Sequence, residues 1–152
     1  MLLMAMLLLS GRTSAQVILS FTIISDPSGI TLTGSGTPAA TMSFGAVQAF
    51  GGSVPSGVTK TVGANSWTLS TPIDLHVTQL GISASYRLTA QLTLADAQNT
   101  WKLNAVTLST AASTITASHG YGTAAYTFSL TIPFSAAAGL ISNTINLVVT
   151  AN

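Results

Sequence analysis

From Gln16 to its end, this chain places apolar residues at every second position in one short segment after another. That period limits it to few architectures. Successive side chains of a strand point to opposite faces, so an alternation of two marks a strand with one buried face. Val17, Leu19, Phe21 and Ile23 open the series. Ile30 and Leu32 follow, then Met42, Phe44 and Val47. Trp67, Leu69, Ile73, Leu75 and Val77 form a longer run, interrupted by Pro72, which predicts an edge position or a change of sheet. The cleanest run is Tyr86, Leu88, Ala90, Leu92 and Leu94, and Trp101, Leu103 and Ala105 continue it after a turn. Tyr126, Phe128, Leu130 and Ile132 precede a closing strand of Ile145, Leu147 and Val149.

No segment keeps apolar residues at i, i+3, i+4 and i+7 for three turns, and the best helical stretch, 135–140, is too short to matter. Turn signals punctuate the strands: Asp26-Pro27-Ser28-Gly29, the stretch 34–38, the loop 51–57 and the segment 96–99. Eight to ten short strands with such spacing predict an all-β sandwich. One domain is expected over 26–152, preceded by a strand over 16–25 and a leader over 1–15.

The outward positions explain the composition. Ser and Thr together supply 42 of the 152 residues, while charged residues are only 5%. There is no Glu; the acids are Asp26, Asp74 and Asp96, and the bases are Arg12, Lys60, Arg87 and Lys102. Thr keeps high strand propensity without charge. Such a surface cannot neutralise a row of phosphates, which argues against nucleic acid as a partner. A net charge of +1 gives little resistance to self-association. The absence of Cys removes disulfides, thiolate metal sites and Cys nucleophiles.

Residues 1–15, MLLMAMLLLSGRTSA, read as a secretory signal peptide: an apolar run from Leu2 to Leu9, then a small-residue ending. Eight apolar residues are too few to span a bilayer, which takes about 20. The expected destination is the cell surface or the medium, by way of the periplasm, with no membrane attachment after cleavage. The mature chain then begins on one of its most apolar strands, Gln16 to Ile24. An unprotected apolar edge strand invites pairing. It either pairs within its own sandwich or adds to a neighbour's sheet.

Groups able to do chemistry are sparse. Asp74 and His76 share one strand face, opposite Ile73, Leu75 and Val77, and read as a solvated outer face. No Gly-x-Ser-x-Gly elbow accompanies them. His119 lies in Ser118-His119-Gly120-Tyr121-Gly122, read as a glycine-rich turn. Lys102 and Asn104 share a strand face with Asp96 close in sequence, a composition that also occurs in isopeptide crosslinks. Trp67, Trp101, Tyr86 and Tyr126 are in phase with the core, which leaves Tyr121 as the best candidate for sugar stacking. The expectation is a protein that is not an enzyme and holds no cofactor or metal.

Two stretches carry a resemblance. Thr41-Met42-Ser43-Phe44-Gly45-Ala46-Val47 resembles the early Phe-Gly strand of secreted pilin-type sandwiches, the spore-coat-U-like and chaperone–usher pilin families. Gly139 to Thr150, with Asn143-Thr144-Ile145, resembles their closing strand, and Leu130-Thr131-Ile132-Pro133 fits the strand before it. The cysteines common in those families and their C-terminal Tyr are absent. The resemblance implies an Ig-like, pilin-like β-sandwich with an N-terminal strand extension, a structural subunit of an extracellular filament, pilus or coat. Val17, Leu19, Phe21 and Ile23 would be the donor strand. Ile145, Leu147 and Val149 would supply part of the acceptor groove. Burying four such side chains would contribute on the order of 6–12 kcal/mol, at about 1.5–3 kcal/mol each. The partners implied are identical subunits in a head-to-tail homopolymer, with a periplasmic chaperone as a further candidate. The alternative is a monomeric secreted binding module or adhesin, with loops near 51–57 and 119–122 reading a glycan or surface.

Overall fold

The computed structural model describes residues 16–25, 30–32 and 39–152, with side chains from Thr41 onward. The leader read over 1–15 and the turns read over 26–29 and 34–38 lie outside the described residues.

Eleven strands are described: β1 Gln16–Ser25, β2 Ile30–Leu32, β3 Ala39–Gln48, β4 Thr59–Val62, β5 Ser66–Val77, β6 Ser85–Leu92, β7 Thr100–Leu103, β8 Val106–Thr107, β9 Ser113–Gly120, β10 Gly122–Pro133 and β11 Gly139–Ala151. They form two sheets. The first has the order β3-β1-β11-β6-β9; the second has the order β2-β5-β10-β7-β8, with β4 also pairing with β5. All pairs are antiparallel except β1 with β11.

The alternation read from the sequence becomes the core. Trp67, Leu69, Leu75 and Val77 of β5, Tyr86, Leu88, Ala90 and Leu92 of β6, and Phe128, Leu130 and Ile132 of β10 are buried in one cluster. Phe44 of the first sheet meets Phe128 of the second at 6.4 Å between ring centroids, so the sheets face each other across it. The architecture is therefore all-β and sandwich-like.

Local chemistry explains the departures from simple alternation. Along β3 and just past its end the buried residues switch from even numbers, Phe44, to odd, Val47 and Ala49. The register with β1 slips at the same place, from Ser43 to Gly45, and leaves Phe44 as the extra residue of a bulge. Gly45 takes φ +62°, which a residue without Cβ adopts at no steric cost. Asn104 and Ala105, at φ 47° and 66°, make the two-residue turn that joins β7 to β8. Two positive φ angles mark the primed hairpin turn, whose twist matches that of the strands.

Four sequence expectations are corrected. Leu94 lies beyond the end of β6 and is exposed, and Ala105 belongs to the turn rather than to β7. Asn104 likewise leaves the strand face of Lys102. His119 sits in β9, which the alternation did not reveal, and Tyr121 alone carries the chain from the first sheet to the second. The edge position read from Pro72, by contrast, holds locally. The outer side of β5 pairs with β4 over Trp67–Ser70 and with β2 over Leu75–Val77, and Pro72 falls in the gap between them. A residue without an N–H is tolerated where one neighbour is missing.

Candidate assembly site

The site is a strand-shaped slot in the first sheet. On one side of it lies β3, whose only partner in that sheet among the described residues is β1. On the other lies β11. The pairing of β11 is staggered: β6 covers Ile145 to Ala151, while β1 covers Gly139 to Leu147. The first half of β11 therefore depends on β1 for its ladder. Among the described residues, β1 is the sole link within the sheet between β3 and the other strands.

Register assigns the positions. Val17, Leu19, Phe21 and Ile23 stand beside Gly139, Ile141, Asn143 and Ile145 in parallel, and Ser25 stands beside Leu147. Asn143, Ile145, Leu147 and Val149 are the core-facing set of β11; Ile145, Leu147 and Val149 are buried. In a parallel pair, register partners share a face. The four residues expected as the donor set thus occupy the register positions of the core-facing row. They occupy them inside their own chain.

Asn143 holds the head of β11 in place. It is buried, and its side chain is fully committed. Its Oδ1 accepts from the backbone N–H groups of Leu94 (3.2 Å) and Thr144 (2.8 Å) and from the Thr93 hydroxyl (3.4 Å); its Nδ2 donates to the Leu94 carbonyl at 2.9 Å. The sequence places this residue in the Asn-Thr-Ile stretch but does not show that it clamps the segment after β6. Beside it opens a cleft of 320 Å³, lined in part by Leu94, Asp96, Asn99, Leu140 and Asn143.

Asp96 organises the turn that forms one wall. Its carboxylate accepts from the Trp101 indole N–H at 2.7 Å, the Asn99 side-chain amide at 2.9 Å, and the backbone N–H groups of Gln98 and Asn99. Burial pushes its pKa up, but these four donors outweigh it and hold the carboxyl below its ordinary range. Asp96 is therefore a structural anchor for buried Trp101.

The remaining candidates are dispersed. His76 is on the outer face of the second sheet, as expected, with Nδ1 3.0 Å from the Thr123 Oγ1 on the neighbouring strand. Asp74 faces the same side, opposite Ala125. Lys102 stands between Ser129 and Thr107, not across from an acid, so the crosslink geometry is not met. Trp67, Trp101, Tyr86 and Tyr126 are buried. Tyr121 is not a free platform: its ring lies 5.6 Å from that of Tyr86 and its hydroxyl donates to the Ser85 carbonyl at 3.1 Å. The glycine loop after β3 is gathered by Lys60, whose Nζ donates to the carbonyls of Gln48 (2.9 Å) and Gly51 (2.6 Å). Among the described residues, no group of three or more His, Cys, Asp or Glu side chains is placed to hold a metal ion.

Compared with known proteins, the chain matches no family model, and no curated protein matches it significantly.

Proposed function

We propose that this protein is an exported structural subunit that assembles into filaments or a coat by strand exchange, β1 of one copy filling the slot between β3 and β11 of the next. One observation carries the reading: β1 bridges two strands that, among the described residues, have no ladder with each other. The slot is long, ten residues or about 33 Å. One wall, β11, is remote from β1 in sequence, so the ladder on that side is satisfied equally by a β1 from another copy. The monomer described here is then the self-complemented form, and exchange converts it to a head-to-tail chain. Such a contact is heterologous and propagates unless it closes into a ring.

The uncharged surface supports the same reading, because a near-neutral chain packs against its copies at little electrostatic cost. The Ig-like, pilin-like classification, the leader over 1–15 and delivery to the cell surface belong to this proposal. The glycan-binding alternative loses one of its two loops, since 118–122 is strand and crossover and its Tyr121 is engaged.

Negative-stain microscopy of the mature chain, with and without residues 16–24, tests the proposal. Filaments are expected from the full mature chain and none from the truncated one. Normal polymers of the truncated chain would refute strand donation.

A further inference from the structure

The outer face of the second sheet is a second, independent surface of this molecule. Its residues run in rows across the strands. Thr61, Thr68, Thr131 and Thr100 stand side by side on β4, β5, β10 and β7. The next row is Thr59, Ser70, Ser129, Lys102 and Thr107. The Thr68 and Thr131 hydroxyls bond to each other at 2.8 Å, so the middle of the row is already tied into the sheet. In this field the described residues carry two charged side chains, Asp74 on β5 and Lys102 on β7.

Their placement is symmetric. Asp74 stands opposite Ala125 and Lys102 opposite Ser129, both on the central strand β10. Thr127, exposed, lies midway between those two positions. With strands about 4.8 Å apart and a rise of about 3.3 Å per residue, Asp74 and Lys102 are about 16 Å apart, too far to pair with each other. A two-fold axis in the plane above the sheet, passing over Thr127, carries each Lys102 onto the Asp74 of the other copy.

We infer that this face docks a second copy of the chain, face to face, with Thr127 on the two-fold axis and two reciprocal Lys102–Asp74 ion pairs. The face is self-complementary in charge: its one base and one acid exchange places under the rotation. A depression of 640 Å³ beside the axis, bounded by Lys102, Asn104, Thr127 and Ser129 among others, gives the incoming β5 side chains a seat. His76 also faces this side and is engaged by Thr123. β5 and β10 run the length from Thr123 to Thr131, and β4 and β7 flank only its second half, so the face covers about 400 Å² per copy. The total of about 800 Å² is in the range of weak, transient contacts, so the contact is a reversible lateral one. It does not depend on strand exchange; where both operate, it pairs filaments side by side.

The test uses the full mature chain with β1 locked in its own slot by a disulfide between Thr22→Cys and Thr144→Cys, register partners in parallel strands. Exchange is thereby excluded, and sedimentation reads lateral pairing alone. Reversible dimers that weaken with salt are expected. Thr127→Lys puts two like charges on the axis and should weaken the dimer by about tenfold or more. Lys102→Asp and Asp74→Lys should each weaken it by about tenfold, and the two together should restore it. Thr127 is exposed, so its variant leaves the fold intact. A locked chain that stays monomeric at millimolar concentration, a dimer indifferent to Thr127→Lys, or a charge swap that fails to restore pairing would each overturn the inference.

Discussion

The hydroxyls of Tyr86 and Tyr126 meet at 3.1 Å between the two sheets, each the polar tip of an otherwise buried ring. They are a polar bridge inside an apolar sandwich. Burial first, then the Tyr86 hydroxyl, raises the Tyr126 pKa above its ordinary value of 10.0, so the fold favours the neutral phenol. The stability this contributes is fully present below pH 10 and is lost as the pH rises above it.

A double-mutant cycle measures the bridge. Tyr86→Phe or Tyr126→Phe alone leaves a buried hydroxyl without its partner and should cost about 1–3 kcal/mol in urea unfolding. The double variant should recover most of that loss, because no buried hydroxyl is then left unpaired. Additive losses would mean that the bond is not the source of the effect.

Asp96 gives the fold an acid limit. Its folded pKa is depressed below 3.8, so its stabilisation is present above that value and disappears as the pH falls through the folded value. Asp96→Asn should therefore lower the urea midpoint at neutral pH, and the difference from the parent chain should shrink well below pH 3.8. Trp101→Phe should lower the neutral midpoint through the same carboxylate, and combining the two should cost less than their sum.

Backbone geometry predicts opposite signs at two turns. Ala105 holds φ 66° in the β7–β8 turn, where glycine is at ease, so Ala105→Gly should stabilise by up to about 1 kcal/mol. Gly45 at φ 62° has nothing within 4 Å of an added Cβ, so Gly45→Ala meets backbone strain but no clash. It should cost about 1 kcal/mol in thermal or urea unfolding.

These positions also show how far the fold was legible. Strands β5, β6 and β10, and β11 from Asn143 onward, follow directly from alternation, since each keeps one inward row there. The switch of parity after Phe44 is visible once Gly45 is understood as a bulge. By contrast β9 was hidden, because seven of its eight residues are polar or small and four are exposed in succession from Ala117. A strand with no buried row leaves no period. The overrun to Leu94 has a similar cause: period two does not mark where a ladder stops, and here Asn143 ends it by capturing the Leu94 backbone.

The site was legible only in its parts. Val17, Leu19, Phe21 and Ile23 announce a strand in need of partners, and Ile145, Leu147 and Val149 announce another. That the two run parallel, in register, with β3 on the far side, is a non-local property of the sheet. Local alternation carries no information about it. The self-complementary spacing of Asp74, Thr127 and Lys102 is likewise invisible until β5, β10 and β7 are set side by side.

Exchange of β1 between copies is the central claim, and the Cys-free chain allows a direct measurement. Thr22 and Thr144 are register partners across the β1–β11 ladder. Neighbouring strands lie about 4.8 Å apart, within disulfide reach. One preparation carries Thr22→Cys and another Thr144→Cys; the two are mixed, assembled, oxidised and resolved under non-reducing conditions. The account predicts a mixed disulfide dimer linking the two variants, formed only under conditions that yield polymer. Polymer that forms without that crosslink would contradict it.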